Sequence, residues 1–300
     1  MCLEILKTIK NHYSSRLFSF FPKMKCLSVC FLALLFTTES TETNFNSPIK
    51  HLEASIAAST AYSTIVAIQC DDCLIVVSRS PAKSTCSLLP LAEADVDTSD
   101  FQGLTVCHGT PKRWLQLTQE TLCTMTGFTP DIQHLTGVLK RQVESHQSLY
   151  SEPHSIHSTM RELATVMRRT AQREGSRPFG VQALMVGRDA GGWQTYSVDP
   201  SGLWRHFASG ATAIGRHADK VKDELKEALK ESKYRSAKDG LDLAVASIIK
   251  GTSKANEKDD LNSYEALLMQ NDNQGYCQTS RISYHSLEKC YQSYMNQHMK

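Results

Sequence analysis

Two short stretches decide how this chain folds: Arg177-Pro178-Phe179-Gly180 and, farther along, Asp199-Pro200-Ser201-Gly202. Gly175, just ahead of the first stretch, allows a helix to end and the chain to turn, and Pro178 fixes the entry into the next strand. The second stretch has the residue types of a β-turn, with proline at its second position and glycine at its fourth. Neither stretch is a catalytic constellation, and we interpret both as turns that connect helices and strands.

Two long helices are predicted ahead of these turns. Thr129-Pro130-Asp131 supplies an N-cap candidate, a proline at the first helical position and an acid in the first turn. Apolar residues continue that helix toward Tyr150, and Pro153 opens a second helix whose apolar face extends to Met167. Because a turn containing proline joins them, we expect the two helices to form an antiparallel pair.

Short apolar runs bounded by turn residues predict strands on both sides of the helix pair. The predicted strands are Ser63–Gln69, Leu74–Ser78, Trp114–Leu117, Thr121–Thr126, Phe179–Gly187, Trp193–Val198, Leu203–Ala208, Glu265–Met269 and Tyr276–Ile282. The further predicted helices are Ile49–Ala61, Ile214–Lys230, one around Leu241 to Ile248, and Ser286–Met295. Residues 82–109 lack a clear period and are interpreted as a long loop or insertion. The order of elements predicts an α/β/β/α sandwich with helices outside two sheets.

The first 44 residues differ from the rest, and we divide the chain into an extension, 1–44, and one domain, 45–300. The apolar run Cys26 to Phe36 follows two lysines and is 11 residues long. A membrane span needs about 20 residues, so no membrane partner is expected. The run has the length of a signal-peptide core but no typical cleavage site follows it. The extension is therefore interpreted as disordered or as a targeting segment.

The composition excludes several classes of function. Lys and Arg number 33 against 31 Asp and Glu, so the net charge of +2 provides no global basic field for nucleic acid. The 10 cysteines show no spacing typical of a small disulfide-stapled domain. No P-loop or dinucleotide-binding glycine pattern occurs, and we predict no cofactor.

Two residue pairs have the types that bind metals. Cys70-x-x-Cys73 could form half of a zinc or redox site, but no second ligand pair follows at the usual spacing. Two cysteines that bracket a hairpin tip are the favoured interpretation. His154 and His157 fall on the first turn of the second predicted helix without an acid or cysteine motif beside them. We expect these histidines to be solvated and predict no metal site.

The two decisive stretches also carry a family resemblance. The segment Ala164 to Val181 resembles the part of 20S proteasome alpha subunits that leads into their "RPFG-V" motif, and Tyr196 to Gly202 resembles their "Q-x-DPSG" turn. Ala211 to Arg216 resembles their "A-x-A-x-G" segment, and Thr126 to Asp131 their "SG-x-x-x-D" segment. The matches are collinear. Pro130-Asp131 and Ala164 to Met167 are most similar to the alpha-type 2 subunit.

This resemblance implies a four-layer α/β/β/α sandwich of the N-terminal-nucleophile hydrolase type. It implies a non-catalytic structural subunit of the core alpha ring in protein degradation, with roles in assembly, substrate-entry gating and regulator docking. The implied partners are other proteasome alpha and beta subunits and the C-terminal tails of regulatory particles, in the cytoplasm and nucleus. In the family, a cation between neighbouring alpha subunits accepts such tails. The matching position is Arg113, with Lys112 as the alternative.

The residues at the first predicted strand argue against hydrolysis by this chain. Catalytic members of the fold use an N-terminal threonine freed by cleavage after glycine, with its own amine as base. Here Ser59-Thr60-Ala61-Tyr62 precedes the strand, and the second strand ends at Ser78-Arg79 without the expected aspartate. Thr60 and Thr64 are interpreted as strand-edge residues. A hydrolase exposed by unrecognised processing remains an alternative.

Three departures from the family pattern support the other alternative, a proteasome-derived binding protein outside the ring. The Tyr-Asp-Arg tail used for gating is absent. The "GRLxQVEYA" stretch is rewritten as Ile49 to Ser55, and residues 82–109 are expanded.

Overall fold

A computed structural model describes residues 48–80, 98–101, 104–108, 114–207, 210–231, 236–253, 261–271 and 277–298. The helices in this part of the chain are α1 (Pro48–Ser59), α2 (Thr129–Tyr150), α3 (Ile156–Gln172), α4 (Ala218–Glu231), α5 (Ala237–Ser253) and α6 (Tyr284–His298). The strands are β1 (Thr64–Gln69), β2 (Cys73–Arg79), β3 (Thr98–Phe101), β4 (Leu104–His108), β5 (Trp114–Gln116), β6 (Thr121–Gly127), β7 (Val181–Asp189), β8 (Gly192–Val198), β9 (Trp204–His206), β10 (Ala211–Gly215), β11 (Tyr264–Asn271) and β12 (Cys277–Ile282). The predicted extension, residues 1–44, lies outside the described residues.

The strands form two antiparallel sheets. The larger sheet has the order β10-β1-β2-β11-β12-β4-β3, and the smaller has the order β5-β6-β7-β8-β9. The hairpin β1–β2 lies near the centre of the larger sheet, with Val66 opposite Val77 and Gln69 opposite Leu74. All of β2 is buried, because sheet neighbours and a second layer cover both of its faces. This agrees with the continuous apolar runs of the hairpin.

Three apolar clusters bind the layers together. The inner cluster lies between the sheets and includes Val76 of β2 and Leu184 of β7. On the outer face of the larger sheet, Val77 packs with residues of α4, α5 and α6. On the outer face of the smaller sheet, Met185 packs with α2 and α3, including Met160. The layers are therefore helix, sheet, sheet and helix, which confirms the predicted α/β/β/α sandwich.

Part of the predicted loop at 82–109 is a strand pair, and this prediction was wrong. Thr98 in β3 lies opposite Cys107 in β4, and β4 joins the larger sheet where His108 pairs with Ser280 of β12. The strand β3 lies at the edge of that sheet. An edge strand has a neighbour on one side only, so it can be polar and lack the apolar period that reveals a central strand. Residues 82–97 lie outside the described residues.

The start of the predicted helix Ile214–Lys230 also needs correction. Ile214 belongs to β10, where it pairs with Ile65 of β1, and α4 begins only at Ala218. Gly215 and His217 have φ angles of 87° and 55°, a left-handed conformation that interrupts the helix. A side chain at Gly215 would overlap the carbonyl oxygen of Ser63. This close approach of β10 to the residue before β1 is a long-range contact, which helical spacing does not reveal.

Two helix starts differ by a few residues from the prediction. Phe128, not Thr129, occupies the N-cap position of α2, and it makes no side-chain cap bond. The second helix begins at Ile156 instead of at Pro153, because the Ser155 side chain caps it by accepting a hydrogen bond from the N–H of Ser158 at 3.2 Å.

A glycine in each of two helices allows a paired test of this packing. A Cβ at Gly240 in α5 would lie 2.7 Å from Cys70 Sγ and 3.1 Å from Ile75 Cδ1, whereas a Cβ at Gly137 in α2 would meet nothing closer than 3.6 Å. We expect Gly240→Ala to lower the free energy of unfolding by about 1–3 kcal/mol through overpacking. We expect Gly137→Ala to raise it by about 0.5–1 kcal/mol, because alanine is the better helix former. Urea denaturation followed by circular dichroism measures both changes. Equal effects of the two substitutions would contradict the close contact at Gly240.

Candidate functional site

The Arg177–Gly180 stretch joins the end of α3 to β7 and closes on the first turn of α2. Asp131 in that turn is 6% exposed. The Arg177 guanidinium donates through Nη2 to Asp131 Oδ1 and through Nη1 to Oδ2, each at 2.7 Å. The N–H of Gly180 donates to Oδ2 as well, at 2.9 Å. One buried carboxylate therefore holds the connecting loop, the strand that follows it and the start of α2.

We call the contacts among Asp131, Arg177 and Gly180 the junction. The remaining residues of the stretch extend this junction to α1. The carbonyl oxygen of Pro178 accepts a hydrogen bond from Ser55 Oγ of α1 at 3.1 Å. Gly180 accepts at its carbonyl from the N–H of Phe128 at 2.9 Å. A Cβ at Gly180 would lie 3.3 Å from the Cβ of Ala58, so glycine permits close approach of α1. The ring of Phe179 lies over that of His134 with centroids 5.7 Å apart.

The ionisation of Asp131 follows from these contacts. Burial by itself would raise its pKa, but the hydrogen bonds from Arg177 and the Gly180 N–H outweigh that effect and lower the pKa below the ordinary value of 3.8. The same hydrogen bond to Asp131 raises the pKa of Arg177. The Arg177 side chain is 56% exposed, so solvent screens its charge and the buried hydrogen bonds account for most of the stabilisation.

The second stretch, Asp199–Gly202, is a turn that rests on α3. Asp199 Oδ1 accepts hydrogen bonds from the N–H of Ser201 at 2.9 Å and from its hydroxyl. Gly202 has a φ of 76°, and its carbonyl oxygen accepts a hydrogen bond from Arg168 Nη2 of α3 at 3.1 Å. Pro200 is buried. Both stretches connect elements of secondary structure, and each fastens a helix of the α2–α3 pair to the smaller sheet.

The start of β1, where a catalytic member of the fold would carry its nucleophile, lacks the required arrangement. Thr64 follows α1 in the chain, so its nitrogen is a peptide nitrogen and cannot act as a base. Its hydroxyl is buried and donates to the carbonyl oxygen of Arg216 at 2.7 Å. Thr60 lies in the turn after α1 and not at a strand edge, and its hydroxyl donates to the carbonyl of Ala57 at 3.1 Å.

The two metal-type pairs lie in different surroundings. Cys70 and Cys73 close the β1–β2 hairpin, where the N–H of Cys70 donates to the Cys73 carbonyl at 2.9 Å, and both thiols are free and buried. A hydrogen bond with Cys70, together with burial, raises the pKa of the Cys73 thiol far above its usual range. Among the residues that the structure describes, no three His, Cys, Asp or Glu side chains are grouped to hold a metal ion.

His154 contradicts the prediction that it is solvated, whereas His157 is exposed. The turn between α2 and α3 buries His154 under His146, with ring centroids 4.3 Å apart. Its Nδ1 forms a hydrogen bond with Thr159 Oγ1 at 3.0 Å, and its Nε2 lies 3.6 Å from Glu162 Oε1. Burial lowers the pKa of His154 below the ordinary 6.5, although Glu162 opposes this shift.

Four exposed large apolar residues lie on or near α1, and the sequence did not single them out. Ile49 and Ile56 lie seven residues apart in α1 and are 69% and 39% exposed, and Tyr62 and Phe128 beside it are 42% and 41% exposed. We call these four residues the α1 surface. Alternation and helical spacing identify buried faces, so they leave such residues unassigned. Arg113 and Lys112, the predicted tail-binding residues, lie outside the described residues.

None of the helices described is long and apolar enough to cross a membrane.

Comparison with known proteins places the sequence among subunits of one assembly. A family model described as "Proteasome subunit" matches residues 97–263, more than half of the 300-residue chain. Over 102 residues the chain is 39% identical to proteasome subunit alpha type-2-A of Arabidopsis thaliana, covering 34% of this chain and 43% of the relative. Over 124 residues it is 31% identical to proteasome subunit alpha type-8 of Mus musculus, covering 41% and 49%. The chain therefore spans less than half the length of these curated relatives. The matches confirm the predicted resemblance to alpha-type subunits.

Removing the charge of Asp131 tests the junction. Because the folded-state pKa is lowered, the carboxylate stabilises the fold above its unfolded value of about 3.9, and this contribution is lost as the pH falls through the folded value. We expect Asp131→Asn to lower the free energy of unfolding at pH 7 by about 1–3 kcal/mol, since an amide N–H₂ would face the Arg177 donors. The difference from the unaltered chain should shrink as the pH falls below the unfolded value and through the lower folded value.

Thermal unfolding at pH 7 and at stepwise lower pH measures this dependence. Asp219→Asn is the matched control, because the Asp219 side chain is 99% exposed and its loss should change the free energy by less than about 0.5 kcal/mol. A pH-independent effect of Asp131→Asn would contradict the assigned role of the charge.

Proposed function

Because the chain belongs to the proteasome subunit family and is an alpha-type member of it, we propose that it is a non-catalytic structural subunit of the proteasome core alpha ring. The observation that carries the proposal is the Asp131–Arg177–Gly180 junction. This junction uses the family's turn residues to hold α1 against the segment that leads into β7. It therefore supports a role in which α1 contacts other subunits.

The chemistry at β1 supports the non-catalytic part of the proposal. A nucleophile of this fold needs a hydroxyl on the first residue, with a free amine next to it. Thr64 lacks the free amine, because its nitrogen is in a peptide bond, and its hydroxyl is already bonded to the Arg216 carbonyl. The chain thus contributes to protein degradation through assembly and not through a nucleophile of its own.

The α1 surface supports contact with neighbouring subunits. Large apolar side chains that are exposed together mark a protein-protein contact more often than an ordinary solvent face. Stable interfaces bury about 800 Å² on each partner, which requires a surface larger than α1 alone. We assign the rest to the α2–α3 pair and to neighbouring loops, with other proteasome alpha and beta subunits as partners.

Gating and regulator docking are the finer parts of the proposal. The C-terminal tail of a regulatory particle ends in a carboxylate, and Arg113 or Lys112 would pair with it. An arginine would bind both carboxylate oxygens through its planar fork, whereas a lysine would act as a point charge. We also propose that the chain is located in the cytoplasm and nucleus.

Assembly is tested by affinity purification of the tagged full-length chain followed by native mass spectrometry. We expect it to co-purify with proteasome alpha and beta subunits in a particle far larger than the single chain. The double variant Ile49→Asp/Ile56→Asp should reduce co-purification at least about tenfold, because two desolvated carboxylates oppose an apolar contact. Ser293→Asp/Asn296→Asp is the control, because it adds the same two charges at exposed positions of α6, which packs on the larger sheet and lies outside the α1 surface and the α2–α3 pair.

Two other outcomes would replace the proposal. Recovery of the unaltered chain only as a free monomer would favour a binding protein outside the ring. A mature N-terminus at a Thr, Ser or Cys beside β1, together with peptide hydrolysis, would favour a processed hydrolase. Sequencing of the N-terminus in the same sample distinguishes this outcome from ring membership.

Tail docking is tested on the purified particle with a labelled peptide that ends in a free carboxylate. We expect Arg113→Ala to weaken binding about tenfold, the loss of one charge-assisted pair. Lys140→Ala, at an exposed position in α2, is the control and should leave the affinity unchanged. Equal binding of the same peptide with an amidated C-terminus would show that no carboxylate pair forms. If Lys112→Ala weakens binding and Arg113→Ala does not, the alternative lysine holds the tail.

A further inference from the structure

The turn between α2 and α3 buries one side chain. Residues 151–153 and 155 are exposed, whereas His154 is 5% exposed. Its imidazole lies against that of His146 in α2, with the ring centroids 4.3 Å apart. His146 also contacts the turn through its Nδ1, which forms a hydrogen bond with the carbonyl oxygen of Glu152 at 3.3 Å. An exposed turn buries little surface elsewhere, so its position depends on this pair of rings.

The surroundings of His154 suit a neutral ring. Its Nδ1 forms a hydrogen bond with Thr159 Oγ1 at 3.0 Å, and its Nε2 faces Glu162 Oε1 at 3.6 Å. A neutral ring with its proton on Nε2 accepts the Thr159 hydroxyl proton at Nδ1. A second proton would occupy Nδ1, so the hydroxyl would have to reverse and donate to the carbonyl oxygen of Ser155, 2.9 Å away. Proton uptake therefore changes the hydrogen bonds in the first turn of α3.

Among the described residues, two ionisable groups face the ring of His154, Glu162 from α3 and His146 from α2. Burial lowers the pKa of His154, Glu162 opposes this shift, and His146 adds to it. The Glu162 side chain is 42% exposed, so solvent screens its charge. Two charged imidazoles in ring contact would repel each other with less screening. The closed turn therefore disfavours the charged form of His154.

We propose that the turn between α2 and α3 is an acid-sensitive latch, which opens when His154 takes up a proton and its ring separates from that of His146. The opening is local, because Leu139 of α2 and Met160 of α3 remain buried against the smaller sheet. Glu162, which is partly exposed and lies beside Nε2, connects the ring to solvent. The latch is a property of this turn and does not rest on membership of a ring.

Acid favours the open latch. In the open turn the ring of His154 is in water and has the ordinary pKa of about 6.5. Because the pKa is lower in the closed turn, the open turn binds the proton more tightly. The neutral ring therefore stabilises the closed turn fully above about pH 6.5, and this stabilisation is lost as the pH falls through the lower closed-state value. The loss begins at a higher pH than that from Asp131, whose pKa lies below 3.8.

Hydrogen exchange of the full-length chain, measured by mass spectrometry, tests the latch. In the closed turn the amide of Ser151 donates to the Gln147 carbonyl, and the amides of Ser158 and Thr159 donate to Ser155. We expect the protection of these three amides, corrected for the intrinsic exchange rate at each pH, to fall at least about threefold between about pH 7.5 and about pH 5.5. The amides of β7 should keep their protection over the same range.

Two variants at histidines separate proton uptake from other effects of acid. His154→Phe keeps a buried ring that cannot take up a proton, and the Thr159 hydroxyl can then donate to the Ser155 carbonyl. Its turn should have the same protection at both pH values. His157→Gln is the control, because His157 is exposed and lies in the first turn of α3. This variant should retain the full acid effect.

A third variant tests the ring pair without altering His154. His146→Gln removes the like charge, which should raise the pKa of His154 in the closed turn and reduce the acid effect. The ratio of protection at the two pH values is compared, so a loss of ring contact at both values cancels. This variant also tests the latch if His154→Phe does not fold. An acid effect that His146→Gln leaves unchanged would overturn the role of the ring pair.

Three results would overturn the proposal as a whole. The first is equal protection of the turn at the two pH values in the unaltered chain. The second is an acid effect in His154→Phe as large as in the unaltered chain. The third is an equal loss of protection in β7, which would indicate global unfolding. None of them depends on whether the chain co-purifies with proteasome subunits, so the two proposals fail separately.

Discussion

A carboxylate buried at the start of a long helix must have its hydrogen bonds met, and at Asp131 this requirement organises one side of the molecule. The donors come from Arg177 and Gly180, which lie 46 and 49 residues farther along the chain. To supply them, the loop after α3 must return to the start of α2. The same loop then presents the Pro178 carbonyl to Ser55 and so fixes α1. Two helices and a strand are positioned by one acid.

The layers themselves follow from patterns that the sequence displays. Continuous apolar runs identify β1 and β2 as strands covered on both faces, and helical spacing identifies the buried residues of α2 and α3, such as Leu135 and Met160. These patterns report whether a residue faces a core. They need no knowledge of which segment lies opposite, and for that reason the sandwich and its order of elements could be predicted.

Features that depend on distant partners could not be derived in the same way. The strand β3 lies at a sheet edge, where it pairs with β4, and β4 in turn pairs with β12. His154 is buried by the path of a turn and by contact with His146, which spacing along one helix does not encode. The helix dipole alone would favour an acid in the first turn of a helix. The sequence Thr129-Pro130-Asp131 therefore does not show that Asp131 bonds to Arg177, and the structure is needed to identify this bond. Family resemblance marked the residues of that bond without giving their geometry.

The junction has a mechanical consequence. The helix α2 has 22 residues and is therefore about 33 Å long. Its first turn is fastened to α1 and β7, and its buried face lies on the smaller sheet along Leu135, Leu139 and Val143. The segment Arg177–Gly180 joins this first turn to α1 through the Pro178 carbonyl, so a shift of α1 would strain the buried hydrogen bonds of Asp131. The position of α1 is thereby coupled to that of α2.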